Sequence, residues 1–402
     1  MFDVIIASQM FHPDIAATAK VMTDLALDIS ESGYSVNAIC QNRAYNDPDE
    51  KYSYQEQIQG VTVSRFSVPR INKNSLLGRA YLSYLVEKRS VSLVRKNAAR
   101  LYMAVSNPPN MALGIARYAS EHKKPFVYIL HDLYPDVLVK TGKLNNSSAV
   151  ARKMRKMSEE TISRSTKTVV LGRDAADYLV KEYRTPFDKI EVITNWGPEL
   201  NSHAYNEGNA FRTKHGLLDK FIVLYSGNIG ETAELDTLLD TASLLEEIDN
   251  KIQFVIVGSG RYRNHVEQRS ENLTNTMVLD LFPEIEYLQM MKEVDCFFVS
   301  LKKNLYGNSV PSKAYYYLSA AKPIVGLLPA KSEVSLMIEE NNVGLVCSDY
   351  RPETLKDVFL KLKNSPELAR EMSSNATKCF KESYSRKKVT RKYIELIQEV
   401  VG

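Results

Sequence analysis

Three segments of this 402-residue chain place anion-binding chemistry at the start of a helix. In LYSGNIG (224–230) an apolar run ends on Gly227-Asn228-Ile229-Gly230 and passes into ELDTLLDTASLLEE. Glycines at such a turn let backbone amides approach an anion. IVGSGRYRNHVEQ (256–268) repeats the device with Gly258 and Gly260, then Arg261 and Arg263, where free amides, a helix dipole and a guanidinium would act together on a phosphate. Either turn alone also suits any tight strand-to-helix connection.

The third segment, SLKKNLYGNSVPSKAYYYLSAAKPIVG (300–326), is the most specific. Pro311 and Ser312 open a helix, and Lys313 falls in its first turn, where a cation opposes the dipole unless an anion lies between them. A bound phosphate would supply that anion; a solvated lysine on an exposed face is the plainer alternative. A fourth candidate lies in YILHDLYPDVLVKTG (128–142), where His131 and Asp132 end a strand. Ligand-contacting residues sit at such carboxyl ends in open α/β sheets, and a satisfied structural pair accounts for the same two residues equally well.

The elements that must hold these residues alternate between β-branched apolar runs and amphipathic helical stretches, which predicts a parallel α/β architecture. Strands are expected at 3–8, 35–40, 101–106, 125–130, 167–171 and 190–194, and after a restart at 221–227, 252–258, 295–301, 323–328 and 343–347. Between the two series, TNWGPELNSHAYNEGNA (194–210) has the Gly, Asn, Pro and Ser content of a linker. The expected domains are 1–200 and 201–385, with a C-terminal helix over 386–402 able to pack back toward the first. Two cores are affordable at this length.

Charge is unevenly spread. Residues 1–195 carry 27 Lys and Arg against 20 Asp and Glu, and the remainder 25 against 28, so the front half suits an anionic partner. Much of the excess lies between Arg65 and Arg100, where Arg65, Arg70, Lys73, Arg79, Lys88, Arg89, Arg95, Lys96 and Arg100 face one acid, Glu87. Interleaved Leu76, Leu77, Tyr81, Leu82, Tyr84, Leu85, Val86, Val91, Leu93 and Val94 make a basic amphipathic helix, suited to an anionic membrane surface or to ordinary packing on the sheet. No recognition motif or stacking platform for nucleic acid accompanies it. The opening MFDVIIASQMF reads as a first strand and not as a signal peptide, and no run reaches the ~20 apolar residues of a membrane span. Cys40, Cys296, Cys347 and Cys379 show no metal-ligand spacing and read as reduced and structural, which points to the cytoplasm.

Taken in order, FHPD, HDLYPD, EETISRSTKTVVLGRDAADYL, VITNW, YSGNIG, VIVGSG and VPSKAYYYLSAAKPIVG resemble glycosyltransferase family 4, in the retaining branch that builds O-antigen, capsule and exopolysaccharide units. The likeness covers nearly the whole chain. It implies the GT-B fold, two Rossmann-like domains facing across a cleft, with acceptor contacts from the first and nucleotide contacts from the second. It further implies donor binding by Gly227, Asn228, Gly230, Gly258, Gly260, Arg261, Pro311, Ser312 and Tyr316, catalysis by His131 and Lys313, and a cleft lined by Asp14, Asp132 and Asn195.

Neither a metal nor a cofactor is implied, since helix starts and cations would stabilise the leaving diphosphate. Three departures stand out. The usually Gly-rich first loop reads Asp14-Ile15-Ala16-Ala17; Glu231, Thr232 and Ala233 occupy positions that commonly hold two phosphate cations, a role open to Lys302, Lys303 or Lys313; and Asn308 and Tyr316 stand where the family has two glutamates. A phenol offers the ribose one hydroxyl where a carboxylate accepts two. The resulting expectation is sugar transfer from an NDP-sugar, UDP-linked by preference, to a lipid-linked or growing glycan at the inner face of the cell membrane. The rival is a catalytically inactive partner or regulatory subunit. An NAD-dependent oxidoreductase would need a first-strand glycine fingerprint that FHPDIAA lacks.

Overall fold

Near-continuous apolar runs such as VNAICQ, FVYIL and CFFVS are buried along their whole length, as expected of central parallel strands covered on both faces. In the computed structural model, which describes residues 1–14, 16–44, 47, 49–70, 76–200 and 208–402, these runs form two sheets. The chain divides into two units. The first comprises Met1–Thr194, Gly307–Ser309 and Val389–Gly402, and the second Asn195–Tyr306 and Val310–Lys388.

In the first unit the strands are β1 (Phe2–Ala7), β2 (Val36–Gln41), β3 (Gln55–Ile58), β4 (Val61–Phe66), β5 (Ala99–Val105), β6 (Phe126–Leu130), β7 (Lys167–Val170) and β8 (Ile190–Val192). They run β3-β4-β2-β1-β5-β6-β7-β8, parallel except for the β3–β4 hairpin. Chain order reverses at β1, which pairs with β2 on one side and β5 on the other. Such a switch point leaves a crevice beyond the strand ends. His131 and Asp132 follow β6 directly.

The helix Leu76–Lys96 packs against the helix Pro109–Glu121. It buries Val86, Ser90 and Val94 and leaves Tyr81, Tyr84, Lys88, Arg95 and Lys96 exposed. Lys73 of the basic stretch lies outside the described residues, as do the side chains of Leu76, Leu77 and Arg79.

The second unit repeats the plan with β9 (Phe221–Asn228), β10 (Ile252–Ser259), β11 (Thr276–Leu279), β12 (Cys296–Ser300), β13 (Ile324–Leu327) and β14 (Gly344–Cys347). Their order is β11-β10-β9-β12-β13-β14, with every recorded pairing parallel. The switch point here is β9, whose end carries Gly227.

Sequence reading misses β3, β4 and β11. QEQI of β3 is polar and half exposed, and TMVL of β11 is only partly buried, because both are edge strands with no second sheet neighbour to demand an apolar run. The β3–β4 turn was signalled by Gln59-Gly60, whose φ angles of 46° and 88° are those of a tight hairpin. The expected linker also differs. Trp196 is buried, Gly197 pairs with Ser385, and a Cβ on Gly197 would meet the Tyr315 carbonyl oxygen at 2.2 Å. Residues 195–197 are therefore part of the second unit's packing, and Gly197 serves a close backbone approach; residues 201–207 of the same stretch lie outside the described residues. All four cysteines are buried as free thiols.

Candidate active site

The two glycine turns of the second unit are neighbours in register, with Gly227 opposite Gly258 and Ser259 opposite Asn228. Gly227, Gly258 and Gly260 have φ of 122°, 153° and 152°, conformations costly for any other residue. Space is as restrictive as φ. A Cβ on Gly258 would lie 1.8 Å from the Gly227 oxygen, and one on Gly260 would lie 2.2 Å from the Ile229 oxygen and 2.7 Å from Asn228 Oδ1. One on Gly230 would stand 2.6 Å from Asn228 Nδ2, so the Asn228 amide is wedged between the two turns. Backbone bonds from Ile229 N to the Ser259 oxygen (2.8 Å) and from Tyr262 N to the Ile229 oxygen (3.0 Å) lock them together.

Over this platform lies Lys313, the first residue of the helix Lys313–Ser319. Its Cε and Nζ are 3.5 Å from where a Cβ on Gly227 would sit, and Nζ stands 3.6 Å from the centroid of the Tyr225 ring. Burial pushes its ammonium down to about 7, with no opposing carboxylate contributing. Pro311 and Ser312 precede it, both half-buried, and Ser312 Oγ accepts from Asn195 Nδ2 at 2.9 Å. Asn195 thus braces the start of the lysine helix, a role its place beyond β8 did not reveal.

Hydroxyls that sequence reading passed over complete this end of the sheet. Ser226 Oγ lies 2.6 Å from Tyr287 Oη, and Ser226 N donates to Tyr317 Oη at 3.0 Å, with the Tyr317 ring stacked on Phe297 at 4.2 Å. Burial raises the Tyr287 phenol to about 12. Tyr316 is half-buried on the same helix, and its phenol adds a smaller upward push on that of Tyr287.

The arginines separate. Arg261 is exposed beside Gly260, whereas Arg263 is taken up by Glu267 and Asp280, each at 2.7 Å, and by the Gly258 carbonyl at 2.5 Å, so it clamps the turn. Lys302 faces the half-buried Glu234 and Lys303 is exposed, while Glu231 follows Gly230 directly.

In the first unit, the backbone amides of His131 and Asp132 donate to the buried Ser106 Oγ at 3.1 and 3.2 Å. Burial holds the His131 ring down to about 4, so it is neutral at ordinary pH, and its buried Nε2 has no hydrogen-bond partner among the described residues. Burial also raises the Asp132 carboxyl, which bonds to Ser309 and not to His131. The paired-structural alternative for these two residues therefore lacks its hydrogen bond.

Just beyond, buried Asp136 accepts from Arg155 (2.8 Å), Tyr178 (2.7 Å) and Tyr183 (2.5 Å), which pins the loop to two following helices. Asp14 is spent locally as well, its Oδ1 accepting from Ala16 N at 2.9 Å at the entry to the helix Ala17–Glu31; Ile15 lies outside the described residues. Among the described residues no group of three or more His, Cys, Asp or Glu side chains is arranged to hold a metal.

Two families match the chain. Residues 18–196 match Glycosyltransferase Family 4, and residues 209–379 match Glycosyl transferases group 1. "Probable glycosyltransferase WbjE" of Pseudomonas aeruginosa is 27% identical over 299 residues, 72% of this chain and 73% of that one. Among solved structures, WaaG, a glycosyltransferase involved in lipopolysaccharide biosynthesis, superposes with a TM-score of 0.71 at 15% identity over 98% of this chain and 99% of its own. Anabaena HepE in complex with UDP gives 0.71 at 12% identity over 99% and 100%. At such identities the likeness to solved structures establishes the fold, which is GT-B.

Proposed function

Because this chain belongs to glycosyltransferase family 4 and is a glycosyltransferase, we propose that it moves a sugar with retention from a nucleoside diphosphate sugar, UDP-linked by preference, to a hydroxyl of a lipid-linked or growing cell-surface polysaccharide. The observation that carries the proposal is Lys313, a half-buried lysine with no carboxylate beside its ammonium among the described residues, set over glycine turns in which Gly258 and Gly260 leave no room for a Cβ. A buried cation without a counter-ion is costly. A diphosphate on the platform would supply that counter-ion. The UDP bound by HepE and the lipopolysaccharide pathway of WaaG support the donor and acceptor classes.

In this reading the acceptor oxygen bonds to the anomeric carbon as the bond to the distal phosphate oxygen breaks, and the acceptor proton passes to that departing oxygen on the same face. Lys313 stabilises charge that grows on the diphosphate, without a metal. The neutral His131 offers its unpartnered Nε2 to a hydroxyl of the transferred sugar. Among the described residues no helix is long and apolar enough to cross a membrane. The exposed Tyr81, Tyr84, Lys88, Arg95 and Lys96 supply a face for peripheral contact with an anionic bilayer at the cytoplasmic side.

Titration calorimetry with UDP and GDP, paired with transfer of labelled sugar onto a membrane extract with and without EDTA, tests the proposal. Binding of one diphosphate and EDTA-resistant transfer are expected. Wild-type protein that binds no nucleotide would instead favour the non-catalytic partner.

A further inference from the structure

Tyr225 sits between the lysine and the glycine turn and touches both. The face of its ring carries Lys313 Nζ, 3.6 Å from the centroid, and its hydroxyl reaches past the ring to donate to the Asn228 carbonyl at 2.7 Å. The ring is fully buried, with its other neighbours in the apolar core of the unit, among them Phe298 at 6.4 Å. It is thus fixed on one side by packing and closed on the other by the lysine. No described atom of Tyr225 is open to a ligand, so it acts only through its neighbours.

We propose that Tyr225 is a positioning residue of the donor site, its π-face holding the Lys313 ammonium over Gly227 and its hydroxyl fixing the Gly227-Asn228 turn on which the diphosphate rests. The inference deepens the donor-site reading above and rests on it. A ring face attracts an ammonium through its quadrupole, and the attraction strengthens as water is excluded. A lysine stem has four rotatable bonds and much freedom to lose; a ring already under its end lets the diphosphate meet a cation that need not be ordered on binding.

Gly227 belongs to the same device. Its φ of 122° is strained for any other residue, and a Cβ there would stand in van der Waals contact with Lys313 Cε and Nζ at 3.5 Å. The Tyr225 phenol is itself pushed upward by burial and stays a donor at every relevant pH, so its bond to Asn228 does not switch.

The test is calorimetric binding of UDP and of UMP, which lacks the distal phosphate, to wild type, Tyr225→Phe, Tyr225→Leu, Lys313→Ala and the Tyr225→Leu/Lys313→Ala double variant. Tyr225→Phe keeps the ring and should lose only about two- to fivefold in UDP affinity, through the turn. Tyr225→Leu should lose about five- to thirtyfold for UDP with a much smaller change for UMP. In the Lys313→Ala background the same Leu substitution should cost less than about threefold, because the group it positions is gone.

Equal losses for UDP and UMP, or a Tyr225→Leu penalty undiminished in the double variant, would overturn the inference and leave the donor site standing. A wild-type chain that binds neither nucleotide would overturn the donor-site reading and this inference together.

Discussion

The two ends of sheet that carry the candidate residues solve opposite problems. In the second unit the group is a cation, Lys313, whose ammonium burial drives down to about 7, with no carboxylate among the described residues to offset it. In the first it is a neutral ring, His131, driven down to about 4 and left with an unpartnered nitrogen. A site of the first kind is completed by an anion, and one of the second by a neutral hydroxyl.

The sharpest way to break that contrast is to remove the cation. Lys313→Ala should cut transfer by about 100- to 1000-fold, as loss of one group facing a developing charge does, and should weaken UDP binding too. The same change should leave the ligand-free chain no less stable at neutral pH, since it deletes a buried ammonium without a counter-ion. A thermal melt alongside the activity assay separates the two effects. Unchanged transfer would leave Lys313 a half-buried lysine with no part in the reaction.

His131→Ala should lower transfer by about 100-fold while UDP affinity moves less than about twofold. Calorimetry with UDP reads the second quantity and labelled-sugar transfer the first. A parallel loss of UDP affinity would mean that His131 touches the nucleotide and that the two ends are not divided by charge.

The pH dependence of UDP binding follows from the sign of the lysine shift. Free Lys313 loses its proton near 7, and an adjacent diphosphate raises that value, so above 7 binding must take up a proton. Affinity should be flat between about pH 6.5 and 7, then fall toward tenfold per unit between about 7.5 and 9, above the last phosphate ionisation near 6. Titrations in buffers of differing ionisation enthalpy measure the uptake directly. His131 is neutral throughout this range and should add no inflection.

Much of this was legible in the sequence, and the failures have physical causes. Central strands announced themselves because burial on both faces demands unbroken apolar runs, as in CFFVS. Edge strands β3 and β11 did not, being held by backbone bonds on one side and free to be polar. Gly227, Gly258 and Gly260 were readable as tight glycine turns, but only coordinates show that Gly258 and Gly227 touch. Tyr225 lies inside LYSGNIG and still went unremarked, because a tyrosine in a strand is ordinarily core. Its relation to Lys313 spans 88 residues that no local pattern links. Arg263 looked as available as Arg261, until Asp280, from beyond β11, claimed it.

Charge distinguishes the units on a larger scale, the front half being the basic one. Replacing Lys88, Arg95 and Lys96 by Gln should weaken partitioning onto anionic vesicles by up to about 100-fold at low salt, at ~1 kcal/mol for each nearby cation, and leave UDP affinity unchanged. Loss of the difference in raised salt is expected as well. Equal sedimentation before and after would make the face merely solvated.

The smallest expected effect distinguishes the two arginines of the Gly260 turn. Arg261 is exposed, so its guanidinium can swing toward a phosphate held on the turn, but through water and at the entropic cost of ordering a long side chain. Such an exposed pairing contributes on the order of 0.2–1 kcal/mol, and Arg261→Ala should accordingly weaken UDP binding by only about two- to fivefold, less at high salt. Arg263 differs in kind: its bonds to Gly258, Glu267 and Asp280 join the turn to the strand beside it. Arg263→Ala should therefore lower the melting temperature while the salt dependence of UDP binding stays that of wild type. Calorimetry at two salt concentrations, with melts of both variants, reads the difference. If Arg261→Ala also lowered the melting temperature and left the salt dependence intact, both arginines would be structural, and Lys313 alone would remain to meet the diphosphate.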